Sequence, residues 1–138
     1  DTGASDCAFG NNIRYYRYAE TLLNAAELAL AGYGSGDASK WLNEVHQRAI
    51  PGETVEATLE NIKAERHLEF VGEGKRYFDL VRWGDAASVL VAEDDENFTT
   101  PSDKGRMGNW SESHKWLPIP LSEIDASNNT LKQNPAYL

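Results

Sequence analysis

The sequence predicts an all-α fold of stacked helical hairpins, finished by an extended C-terminal arm. Three observations carry this. Apolar residues recur at helical spacing over residues 13–31, 38–50 and 54–83. Turn-forming glycines and a proline separate those stretches, at 32–36, 51–52 and 72–74. Past residue 105 the periodicity ends, and proline geometry sets Leu117-Pro118-Ile119-Pro120 as extended chain.

The chain has 138 residues, 41% apolar and 25% charged, which fits one globular domain spanning 1–138. Its helical hairpins are expected at about 13–50 and 54–91, with a loop and tail at 92–138. The net charge of −9 argues against nucleic acid or an anionic membrane surface as a direct partner. A single cysteine, Cys7, excludes an intramolecular disulfide framework and a cysteine-based zinc site. No apolar run approaches the ~20 residues of a membrane span.

Residues 1–12 are small and polar and read as a loop, with Asn11 or Asn12 as a cap for the first helix. Over 13–31, Tyr15, Tyr16, Tyr18, Leu22, Leu23, Ala26 and Leu30 fill about half the helical wheel, so the tyrosines are expected in the core, with a sugar-stacking platform as the alternative. Gly32 and Gly34 end that helix. Asp37 caps the next, whose buried stripe is Ala38, Trp41, Leu42, Val45 and Ala49, and Pro51-Gly52 stops it. The two make a helical hairpin of tetratricopeptide-like size. Thr54 is the expected cap of the third helix.

On that third helix, at about 100° per residue, Val55, Leu59 and Ile62 form an apolar stripe that continues into Arg66, Glu69 and Glu73. Charges on a core face need partners, because an isolated buried charge costs several kcal/mol. The nearest candidates are Arg76, Asp79 and Arg82, three residues apart on the next short helix. The expectation is a structural ion-pair network of Glu65, Arg66, Glu69, Glu73, Arg76, Asp79 and Arg82. Two free carboxylates would instead suit a glycosidase, but an arginine beside each acid keeps it ionised and unfit to donate a proton.

Residues 85–91 are expected to add one or two helical turns. Glu93, Asp94, Asp95, Glu96 and Asp103 lack EF-hand spacing and read as a solvated acidic loop. Trp110 and Trp116 flank Ser111-Glu112-Ser113-His114-Lys115, in what is expected to be an extended arm or short β-hairpin. Ser122–Asp125 adds a turn. Flat aromatic faces beside polar groups suit a sugar ring, so Trp110, His114 and Trp116 are the candidate ligand-binding residues. The histidines lie at no metal-ligand spacing, and no phosphate loop, dinucleotide fingerprint or nucleophile elbow occurs. No metal, cofactor or catalytic residue is therefore expected.

Four segments resemble the RagB/SusD family, the glycan-binding outer-membrane lipoproteins of Bacteroidetes. Glu65, Arg66, Glu69, Glu73, Gly74, Arg76, Asp79, Leu80, Arg82, Trp83 and Gly84 match its E-R-x-x-E-x-x-x-E-G-x-R-x-x-D-L-x-R-W-G signature. Arg17-Tyr18-Ala19-Glu20 with Leu22, Leu23, Ala26 and Glu27 matches a second segment. Leu42, Asn43, Val45, Arg48 and Ala49 match a third. Leu117–Pro120, Ser122-Glu123-Ile124, Gln133-Asn134-Pro135 and Tyr137 match the C-terminal tail. The likeness covers about the last quarter of such a protein. It implies tetratricopeptide-type helix pairs, oligosaccharide or polysaccharide binding for nutrient uptake, no catalysis, and a TonB-dependent (SusC-like) transporter as partner. It also implies an outer-membrane, surface-exposed location, with signal and lipid anchor in a missing N-terminal part, most sugar contacts upstream, and a native C-terminus here. A reading independent of the resemblance is a helical-repeat module that binds a protein partner in its groove.

Overall fold

The computed structural model describes residues 14–91, 110–128 and 130–138. Among them every regular element is helical, as expected: α1 (Tyr18–Leu30), α2 (Ala38–Ala49), α3 (Leu59–Glu69), α4 (Arg76–Trp83), α5 (Ala86–Val89) and α6 (Leu121–Ala126), with 3-10 turns at Glu112–Lys115 and Pro135–Tyr137. Cys7, the Asn11/Asn12 cap and the acidic loop at 93–105 lie outside the described residues. The chain forms two compact units, residues 1–76 and 77–138.

In the first unit, α1 and α2 form the predicted hairpin and α3 packs on α1. Each helix supplies one large, fully buried aliphatic residue: Leu23, Leu42 and Ile62. Leu22, Ala26, Val45 and Phe70 complete the core. Burying each large apolar side chain contributes roughly 1.5–3 kcal/mol, which orders helices too short to persist alone. Asp37 caps α2 through its carboxylate, which accepts from the Lys40 N–H at 3.0 Å. Gly36 is required by close approach: a Cβ there would lie 1.9 Å from the Trp41 ring.

Three local expectations need correction. Helix α1 begins at Tyr18 rather than 13, because Arg17 is extended (φ −130, ψ 155) with its side chain committed elsewhere. Tyr15, Tyr16 and Tyr18, expected in the core, are 83%, 58% and 68% exposed. The first two precede the helix, and Tyr18 lies on its outer side. The cap of α3 is Thr58, not Thr54; its hydroxyl accepts from the Asn61 N–H at 3.1 Å. Residues 53–58 instead form no regular element, and Val55 among them is held by the Asn43 side chain. That amide accepts from the Val55 N–H (2.8 Å) and donates to the Val55 carbonyl (2.9 Å). It stands in for a strand neighbour and uses both backbone groups of Val55.

The second unit buries Leu80 and Ala86, from α4 and α5. Its arm is not a β-hairpin: among the described residues it alternates helical turns with extended chain. Two prolines leave Ile119 as the one N–H donor between residues 118 and 120, too few for a ladder. The Gln133 amide takes the missing strand's place. Its oxygen accepts from the Ile119 N–H and its nitrogen donates to the Ile119 carbonyl, both at 2.8 Å. The Asn134 amide donates to the Leu117 carbonyl, and Pro135 opens the closing 3-10 turn.

Candidate functional site

Two groups of side chains stand out, one in each unit. In the arm, Ser111 starts the 3-10 turn with a reciprocal cap. His114 Nδ1 accepts from the Ser111 N–H at 3.1 Å and lies 2.8 Å from Ser111 Oγ. A nitrogen that accepts from an amide carries no proton, so the ring proton sits on Nε2. The Tyr137 ring meets the imidazole edge-on, with centroids 5.9 Å apart. Tyr77 of α4 donates its hydroxyl hydrogen to the His114 carbonyl and receives the Trp110 indole N–H at 3.3 Å.

The sequence treated Trp110, His114 and Trp116 alike, but the structure gives them different surroundings. Trp110 is half-buried, its indole N–H spent on Tyr77 and its backbone N–H on the Leu90 carbonyl at 3.0 Å. His114 is half-buried and oriented by Ser111. Trp116 is 65% exposed on extended backbone. It offers the arm's open aromatic face.

The charged group of the first unit lies on the inner side of α3, as the wheel predicts, but its partners come from elsewhere. Arg17 grips Glu73 with two nitrogens, Nε at 3.0 Å and Nη2 at 2.7 Å, and reaches Glu69 with Nη1 at 2.7 Å. Arg48 closes on the other oxygen of Glu69 at 2.5 Å. Glu69, with a side chain 4% exposed, therefore sits between two guanidinium groups. Glu65 accepts from His46 Nδ1 at 2.8 Å. Arg66 donates to the Asn24 side chain at 2.7 Å and faces Glu20, whose second oxygen is 2.9 Å from the Lys75 ammonium. Arg17 and Arg66 each lie 5.2 Å from the Phe70 ring centroid, a distance at which the ring attracts a cation.

The expected partners Arg76, Asp79 and Arg82 are thus replaced for Glu69 and Glu73 by Arg17 and Arg48. Asp79 and Arg82 pair with each other at 2.9 Å. Arg76 makes no ion pair among the described residues. The reason is packing within the first unit: α1 and α2 lie against α3 and bring Arg17 and Arg48 to its Glu69 carboxylate. Sequence reasoning missed Arg17, Glu20, His46, Arg48 and Lys75. Their one signal was charge recurring inside apolar helical segments, such as Arg17 and Glu20 flanking Tyr18-Ala19.

The contacts also fix protonation. Hydrogen bonding from Arg17 holds the Glu73 carboxyl below its ordinary value. The reciprocal bonds, from Glu73 first and then Glu69, push the Arg17 guanidinium above its own. Among the described residues no three potential metal ligands converge, and no helix is long and apolar enough to cross a membrane.

Residues 5–137 match the SusD family. The SusD-like protein P25 of Formosa agariphila is 33% identical over 131 residues, covering 83% of this chain and 24% of that protein. The structure is similar to that of surface glycan-binding protein A from Bacteroides thetaiotaomicron, with a TM-score of 0.76 and 57% identity, covering 92% of this chain and 25% of that one. It is similar also to that protein in complex with laminarihexaose, with a TM-score of 0.75 and 57% identity over 91% of this chain and 25% of that one. The chain spans about a quarter of the length of these relatives.

Proposed function

The chain belongs to the SusD family, and on that premise we propose that it is part of a surface glycan-binding protein serving carbohydrate uptake. The names of the similar structures, one with laminarihexaose bound, support this reading. Within the chain the observation that carries it is the open ring of Trp116, two residues along the chain from a firmly held His114. The indole face packs on the apolar C–H side of a sugar ring. His114, its Nδ1 occupied by Ser111, keeps Nε2–H as a donor for a sugar hydroxyl. Trp110, anchored on Tyr77, supports the segment.

The role is binding rather than catalysis. Glu65 and Glu69 are each engaged by a histidine or arginine, and Glu73, held ionised by Arg17, is a poor general acid. The remaining parts of the proposal rest on family resemblance: a TonB-dependent transporter as partner, and an outer-membrane position with a lipid anchor upstream.

The test is calorimetry of the 138-residue chain against soluble oligosaccharides, with laminarihexaose in the panel. Trp116→Ala is expected to weaken binding by up to roughly tenfold, from about 0.5–1.5 kcal/mol of aromatic contact. Equal affinity in that variant would remove Trp116 from the site. A well-folded chain that binds no glycan in the panel would overturn the reading for this segment.

A further inference from the structure

A cavity of about 280 Å³ opens between α1 and α2 in the first unit, away from the tryptophan arm in sequence. Its floor is apolar: Ala19, Leu22 and Val45, the last two 6% and 2% exposed. Tyr18 stands at its edge, 68% exposed. The polar wall is Glu44 and Arg48, one turn apart on α2. That spacing ordinarily pairs the two, yet Arg48 turns its Nη2 to Glu69. Glu44 is left with no hydrogen-bond or ion-pair partner among the described residues. Arg17 also borders the cavity, but four of its five N–H hydrogens go to Glu69 and Glu73.

We infer that this α1–α2 cavity is a second saccharide subsite, sized for a single neutral sugar ring. Three features of the lining select that ligand. Glu44 and Arg48 face the space with opposite charges, and the charge of Arg17 is already matched by Glu69 and Glu73, so an ion of either sign meets repulsion as well as attraction. A hydroxyl pair meets neither, because it donates to Glu44 and accepts from the free Nε or Nη1 edge of Arg48. Tyr18 supplies an aromatic face for the ring's C–H side. The volume of about 280 Å³ lies just below the roughly 300–1,000 Å³ usual for ligand pockets, which suits one ring of a chain rather than a whole oligosaccharide. The choice of a sugar among neutral polyols rests on the glycan-binding reading above; the place of the site does not.

The probe is laminarihexaose, followed by amide NMR shifts and calorimetry on the wild-type chain and on Tyr18→Ala, Glu44→Gln and Trp116→Ala. Tyr18 and Glu44 are exposed, so both variants are expected to fold, as circular dichroism will check. The expected result is saturable shifts at residues 18–22 and 44–48 that persist in Trp116→Ala. In that background Tyr18→Ala or Glu44→Gln should weaken the remaining binding at least fivefold. If only Trp116→Ala loses binding and the α1–α2 amides never shift, the subsite falls and the glycan reading stands. If the α1–α2 amides shift and the arm does not, the subsite stands and the arm's role falls. If no sugar binds, both fall. A lysine-bearing peptide that shifts these amides where laminarihexaose does not would give the cavity to a peptide and overturn the proposal.

Discussion

Glu69 keeps 4% of its side chain exposed and is tolerated there because two guanidinium groups close on it, Arg17 from the extended residue before α1 and Arg48 from α2. Removing one leaves a buried acid half-neutralised. Arg17→Ala is expected to cost roughly 2–3 kcal/mol by urea unfolding, less than the ~3–5 of a buried pair losing its sole partner, because Arg48 remains. Arg76→Ala is the control: with no ion pair among the described residues, it should stay within about 0.5 kcal/mol of wild type, as surface changes do. A large loss there would put the network back on α4. The Arg17 contact also sets a pH dependence. Glu73 has its folded pKa lowered from 4.5, so its contribution is present above that value and lost as pH falls through the folded one. As pH falls from neutral to below 4.5 the urea midpoint should fall, and fall less in Arg17→Gln. Helical spacing made legible that Arg66 and Glu69 face inward. It could not name Arg17, because a partner 52 residues away is chosen by packing.

Asn43 and Gln133 do similar work on the elements around them. Each presents a side-chain amide to both backbone groups of one residue outside the regular elements, Val55 or Ile119, and each supplies the hydrogen bonds that a neighbouring strand would. Gln133→Ala should cost about 1–2 kcal/mol, near 1 for each hydrogen bond. It should also speed hydrogen exchange of the Ile119 amide; unchanged exchange would show that water or another group serves equally well. The turn between α3 and α4 has a different requirement. Gly74 has φ +72 and open space where a Cβ would go, so Gly74→Ala should cost about 1–2 kcal/mol from backbone strain alone, visible as a lower thermal midpoint. The glycines themselves marked this turn in the sequence. The arm was read less well: prolines gave its extended run, but nothing local says that a glutamine 14 residues on replaces the second strand of a hairpin.

For the whole molecule, the described core is small, and three residues from three helices occupy its centre. Leu42→Ala should cost about 2–5 kcal/mol, a large share of the ~5–15 kcal/mol that holds a typical domain. Far-UV circular dichroism at physiological temperature should show helix loss; full retention would mean the core repacks around the gap. What the sequence determined by itself is what local chain physics reports. Helical period, caps such as Asp37 and turn glycines gave the helices and their order, and the signature segments gave the family. Tertiary structure alone decided which tyrosines face water, which arginine meets which acid, and which tryptophan keeps an open face. Those outcomes depend on which surfaces meet when α1, α2 and α3 pack and when the arm folds onto Tyr77. Two residues with the same local pattern can end on opposite sides of that boundary.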